Sequence, residues 1–164
     1  MFPLRKTISF HKTKQAKRPG ATTLELSLTF GLFLVATLGT FDLGIGVFRH
    51  HVIAQAARQG ARRAIVHGDQ AAELGSWGPS TVDTLASNAG SHGIVDGAED
   101  GIQDLLVGCD LSRTNIRIEW LANSNEFESL VRVTVSTPFQ PILLFMFGAQ
   151  ELTLTASSTM SIAH

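Results

Sequence analysis

Apolar residues along this chain fall into three successive patterns. From Leu26 to Phe41 sixteen residues carry no charge, and the run continues to Phe48 with a single acid, Asp42. About twenty predominantly apolar residues cross a bilayer as a helix. The competing reading is a buried helix of a soluble protein. Such helices keep a polar stripe, and this run has none over its first turns. Beyond it, residues 49–66 contain no proline and are rich in Ala and Arg. Val52, Ala56, Gln59/Gly60, Arg63 and Val66 mark successive turns there. Ala57/Ala61 and Gly60/Ala64 form small ridges, Arg58 and Arg62 share a polar face, and Gly68 is a C-terminal stop. One helix from about residue 22 to 66 is therefore expected, roughly 65–70 Å long at ~1.5 Å per residue. That is more than twice the hydrocarbon thickness, so its second half must project from the membrane.

The second pattern, over residues 68–114, is glycine-rich and predicts loops with short helices. Ser80 followed by Asp83 resembles an N-cap leading into Val82, Leu85, Ala86 and Ala89, and a second short helix is expected over Ala98–Val107. After residue 114 the period changes to two. Ile116, Ile118 and Trp120 alternate with polar residues, as do Val131, Val133 and Val135. The cluster Asn123-Ser124-Asn125-Glu126 joins these two strands as a hairpin. A third strand alternates from Leu152 through Leu154, Ala156, Ser158 and Met160 to Ile162. The expected fold is α+β and pilin-like: a long N-terminal helix, membrane-spanning in its first half, with a small C-terminal antiparallel sheet of about three strands. The sheet's one apolar face needs a covering layer, and the projecting half of the helix is the candidate.

Between the second and third strands, Pro138-Phe139-Gln140-Pro141 precedes the apolar stretch Ile142–Phe147 and Gly148. It is too short to cross a bilayer. Two readings stand: a short helix covering the core, or an exposed apolar patch for a partner or the membrane surface.

Charge sharpens the picture at the N-terminus. The net charge of −1 is the sum of two opposed parts. Arg5, Lys6, Lys12, Lys14, Lys17 and Arg18 form a leader of charge +6 without an acid, and the remainder has seven arginines against fourteen acids, −7. Such asymmetry marks a tail that meets a membrane or nucleic acid, or one that is removed. The charged fraction, 16%, is low for a wholly soluble domain. The single cysteine, Cys109, excludes an intrachain disulfide and a thiol zinc cluster. In an exposed position it could pair between molecules; a buried thiol is the alternative.

At the junction, Lys17-Arg18-Pro19-Gly20-Ala21-Thr22-Thr23-Leu24-Glu25, the basic leader ends in glycine and an acid follows five residues later, at the head of the apolar helix. This resembles the type IV prepilin signal, which implies cleavage by a membrane prepilin peptidase between Gly20 and Ala21. Glycine lets an extended backbone enter a protease cleft closely. A carboxylate beside the bilayer core is costly unless paired. The resemblance implies that Glu25 neutralises the new α-amino group of Ala21 on a neighbouring subunit; the alternative is that Glu25 faces headgroups or favours the helix N-terminus. Further along, Phe41-Asp42-Leu43-Gly44, Gln55-Ala-Ala-Arg58-Gln-Gly60-Ala-Arg62, Val131–Thr137 with Pro138-Phe139-x-Pro141, and Leu152-Thr-Leu-Thr-Ala156-Ser-Ser-Thr-Met160 are similar to the TadE family of pilus-assembly pseudopilins. The similarity covers roughly residues 18–66 and 129–162. Two departures stand out: Leu26 replaces the aromatic that many of these pseudopilins carry after the glutamate, and Ala21 replaces the phenylalanine with which type IV pilins usually begin.

The organisation expected is a cleaved leader 1–20, a transmembrane helix 21–48, its extension 49–67, the Gly-rich region 68–114 and the antiparallel region 115–164. The role implied is that of a minor pilin-like membrane component in the assembly or export of tight-adherence pili. Its partners would be the prepilin peptidase, other pilin or pseudopilin subunits with the pilus assembly apparatus, and the lipid bilayer. Ala36, Thr40 and Gly44, at four-residue spacing, form a small-residue ridge that would join Glu25 as subunit contacts. The alternative is an unprocessed, signal-anchored extracytoplasmic binding or sensor domain.

No catalytic, cofactor or metal residues are expected. His50-His51 and His67-Gly68-Asp69 lack the i, i+4 spacing of a helical metal site, and no phosphate loop or nucleophile elbow is present. Nucleic-acid binding would explain the leader's charge but not its position before the apolar run, and the body is acidic. Six cations before the span against four arginines after it place the N-terminus in the cytoplasm and the head outside a bacterial cytoplasmic membrane. Asp42 is read as lying near the outer interface below Arg49, or as making a contact in an assembly.

Overall fold

The computed structural model describes residues 19–71, 75–88, 102–146, 148 and 151–163. The leader 1–18 lies outside the described residues. The chain divides into two compact units between Ala36 and Thr37.

Helix α1 runs Pro19–Ala64. Proline suits its first position, where the missing N–H would be unpaired in any case. In the first unit its side chains are exposed, Leu24, Leu26, Leu28, Phe30 and Leu32 among them. The hydroxyls here turn back on the helix: Ser27 Oγ donates to Leu24 O (2.8 Å) and Thr29 Oγ1 to Glu25 O (2.9 Å). Polar side chains thereby satisfy themselves without a solvent partner, as an apolar surrounding requires. The helix from Thr22 is long and apolar enough to cross a membrane, and almost none of its most apolar stretch is buried.

In the second unit α1 changes character. Ile53, Ala56, Ala57, Ala61 and Ala64 are fully buried, while Arg58 and Arg62 are exposed. The buried set joins one core with Ile116, Ile118, Trp120, Val131, Val133 and Val135 of the sheet. Small side chains on this face let the helix lie close against the strands at interior density. The expectation that the helix covers the sheet holds. It ends at Ala64, two residues before Val66, in a turn in which the Val66 and His67 N–H groups donate to Arg63 O and Ala64 O.

The sheet has four antiparallel strands in sequential order, one more than expected: β1 (Val82–Leu85), β2 (Asn115–Trp120), β3 (Leu130–Phe139) and β4 (Leu152–Ser161). The additional strand lies where a short helix from Ser80 is expected. The N-cap signal there is overridden because β2 offers an open edge. Val82 pairs with Ile118 and Thr84 with Ile116, and the β-branched side chains suit the pleat. The second expected helix is reduced to a 3₁₀ turn, Ile102–Leu105, with Ile102 buried in the core; its expected start, 98–101, lies outside the described residues. The expected β2–β3 hairpin is present, in the register Trp120↔Val131 to Asn115↔Ser136. Its loop uses Asn123 at φ 48°, a conformation asparagine tolerates better than most residues.

Strand β3 runs three residues further than its alternating valines predict, through Thr137, Pro138 and Phe139. Pairing with β2 stops at Ser136, so Pro138 meets an unpaired edge on that side, where its missing N–H costs nothing. The extension is held on the other side by β4, which pairs with all of β3 from Leu130↔Ser161 to Phe139↔Leu152. Buried Thr137 and Thr114 satisfy each other: their hydroxyl oxygens lie 2.9 Å apart, and Thr114 Oγ1 donates onward to Asp110 O (2.8 Å).

Candidate membrane and assembly surface

The functional residues expected from sequence lie along α1. Gly20 is in its first turn and exposed, and Ala21 follows in the same turn. The junction is therefore helical here rather than extended. The first-turn N–H groups of a helix have no intrahelical acceptor, so unwinding this end costs little hydrogen bonding. Glu25, Ala36, Thr40 and Gly44 are all exposed.

The glycines of the apolar run divide into two kinds. A Cβ added at Gly31, Gly39 or Gly44 would meet nothing within 4 Å. One added at Gly46 would lie 3.3 Å from Phe139 Cε1. Gly46 is small because the head packs on it. The other three each cost roughly 0.5–1 kcal/mol relative to alanine within a helix, and nothing in their own unit's packing requires them.

Around Gly46 the helix is tied to the far end of the sheet. Phe139, at the end of β3, is 7% exposed, and the Arg49 guanidinium stands 5.4 Å over its ring, within cation–π range. One turn earlier, Asp42 is buried at 7% exposure inside the longest apolar run. Its carboxylate accepts two backbone hydrogen bonds, Oδ1 from Ile142 N–H (2.9 Å) and Oδ2 from Leu143 N–H (2.7 Å). Both donors belong to the first turn of α2 (Ile142–Met146). Asp42 thus caps a helix one hundred residues away. No sequence signal marks this pair, because a cap is normally local to its helix.

Pro141 and Gly148 bound α2. Phe145 N–H donates to Pro141 O, Gly148 N–H donates to Phe145 O, and Gly148 adopts φ 71°, the left-handed closure that glycine supplies best. No residue of α2 is buried. Phe145 and Met146 are 64% and 69% exposed, and Ile142 about half. Over Ile142–Met146 the segment is an exposed apolar patch rather than a helix buried on the core. In water each such side chain forgoes part of the ~1.5–3 kcal/mol that full burial provides. Beside α2 opens a cleft of about 590 Å³, walled by Leu43, Val47, Phe139, Leu144, Leu152 and Leu154. His50 and Asp42 also line it, and its exposed wall is almost wholly apolar.

Elsewhere the titratable groups serve structure. His67 stacks flat on Trp77 (3.6 Å, 6°) and donates from Nδ1 to Gly75 O (2.8 Å). Asn125 pins the same loop, donating to Ser76 Oγ and Trp77 O. Gly78, at φ 92°, lies so close to the indole of Trp120 that a Cβ there would come within 2.5 Å of Cε2. Cys109 is half-buried, and burial pushes its thiol up despite the opposing effects of Arg49 and of a hydrogen bond with Thr137. Ser112 holds the Asp110 carboxyl below its ordinary range, with Arg113 adding to the effect. Arg113 itself is raised by its ion pair with Glu151 (2.5 Å).

The family model of TadE-like proteins matches residues 20–62 of this chain. The resemblance drawn from the N-terminal motifs therefore holds over that segment; the similarity over 129–162 lies outside it. No curated protein and no solved structure matches the chain.

Proposed function

We propose that this protein, TadE-like over residues 20–62, is a minor pilin-like component in the assembly or export of tight-adherence pili, matured by a prepilin peptidase that cuts between Gly20 and Ala21. The observation that carries this reading is the extent of the family match. It begins at the glycine of the junction and runs through the whole apolar helix into its Ala-rich extension. The role is non-catalytic: the subunit is stored in the bilayer and associates with other pilin-like subunits through its helix.

The open glycines support association. Gly44 and its ridge neighbours Thr40 and Ala36 are exposed, and a Cβ at Gly44 would touch nothing in this chain. Small residues of this kind let a second helix approach closely in lipid, where van der Waals packing drives association. Glu25, exposed near the start of α1, would pair with the α-amino group of a neighbour's Ala21. A single-pass arrangement follows, with the basic leader cytoplasmic and the acidic head outside.

Intact mass and N-terminal sequencing of membrane-extracted protein test the processing claim. A chain beginning at Ala21 is expected, and Gly20→Ala should leave the precursor uncut. A membrane-bound chain that retains Met1–Gly20 would instead support the unprocessed, signal-anchored sensor or binding domain.

A further inference from the structure

We propose that α2 is an interfacial foot, seated in the outer leaflet of the membrane that holds α1, with the cleft beside it taking a lipid acyl chain. This rests on the reading of α1 as a membrane span and goes beyond it by giving the head a second, independent contact with lipid. Four observations converge. Ile142–Met146 is a short helix made only of apolar residues, none of them buried, and no charged residue occurs from Phe139 to Gln150. Its surface is continuous, through the cleft, with Leu43 and Val47 of α1, which are 73% and 57% exposed. Twenty residues, about the number that crosses a hydrocarbon core, carry the chain from Leu24 to Leu43, so the outer edge of the span falls at Asp42.

The fourth observation is the Asp42 cap. A carboxylate at the edge of the hydrocarbon is costly unless paired, and here both oxygens are engaged by α2 backbone N–H groups. The same two bonds hold α2 at the level of residue 42, so the foot cannot lift away without stripping the carboxylate of its partners. Arg49 stands about two turns further along α1, the height at which cations meet lipid phosphates. A second copy of the chain is the rival occupant. The uncharged face and its continuity with the span favour lipid, since a soluble protein interface normally carries a polar rim.

The test uses the full chain reconstituted in vesicles of phosphatidylethanolamine and phosphatidylglycerol, with an environment-sensitive fluorophore on one introduced cysteine and Cys109→Ala as background. Labels are placed by Met146→Cys on α2, Leu34→Cys in the span and Ser157→Cys on exposed β4. Lipids brominated near the headgroup end of the acyl chain should quench the label at 146 several-fold more than that at 157, with emission shifted to the blue. Lipids brominated near the chain terminus should quench the label at 34. If the 34 label is quenched and the 146 label behaves like 157, the foot is not in lipid and the proposal is overturned. In that case emission at 146 that varies with the protein-to-lipid ratio assigns the face to a second copy. If the 34 label also escapes quenching, the span reading itself has failed.

Discussion

The two halves of α1 have the same backbone and opposite side-chain logic. Between Leu24 and Phe48 the helix carries large apolar residues, among them Leu28, Phe33, Phe41 and Leu43, and they are exposed. Between Val52 and Ala64 it carries alanines, and Ala56, Ala57, Ala61 and Ala64 are buried. In a soluble protein the larger side chains would be expected inside, because burial free energy scales with apolar area. Their distribution here is intelligible only if the first half has an apolar surrounding of its own, and if the second is selected for close approach to a sheet. Size thus differs with surroundings: the large side chains of the first half are open, and the alanines of the second pack against the sheet.

The largest effect expected from this contrast comes from placing the same residue on each half. Ala61→Arg sets an unpaired charge in the core and should cost about 3–5 kcal/mol of head stability, read as loss of cooperative thermal unfolding in detergent. Its membrane insertion should be untouched. Val35→Arg should do the reverse. It costs about 2.5–3.5 kcal/mol of insertion, read as release from membranes by alkaline carbonate, while the head's unfolding is unchanged. If both variants damage both properties, the two halves are not independent.

A smaller effect is expected where α2 is tied to the first half. Asp42→Ala removes both acceptors from the first turn of α2 and should cost about 1–3 kcal/mol, with proteolysis appearing first between Pro138 and Gly148. Equal protease resistance in the variant would show that the cap does not hold α2. The smallest effect separates the two kinds of glycine. Gly44→Ala should leave the head unchanged or raise helix stability by up to ~1 kcal/mol while weakening association, measured by crosslinking in membranes. Gly46→Ala must push Phe139 aside by a few tenths of an ångström and should lower the head's melting temperature instead.

Much of this architecture is legible along the chain because its signals are local. The charge-free run, the shift to a small-residue helical period and the alternation in β2, β3 and β4 each lie within one element, and each element is found where its period predicts. Strand β1 was not legible: four residues with a nearby N-cap signal become a strand only because β2 presents an unpaired edge about thirty residues later. The end of β3 escaped for the same reason, since Pro138 is tolerable only where β2 has already stopped.

By itself, then, the order of residues determined a basic N-terminal stretch, a helix long and apolar enough to cross a membrane with an Ala-rich extension, and a β-rich acidic head. It also determined which residues mark the junction and the small-residue ridge, because hydropathy, charge and period are properties of the chain alone. Tertiary structure alone decided the fate of Asp42 and of Ile142–Met146. The sequence leaves an acid stranded in an apolar run and an apolar segment of unassigned face. Folding brings them together across one hundred residues. The acid gains two donors, the short helix gains its cap, and an apolar face is left open beside Leu43 and Val47 of α1.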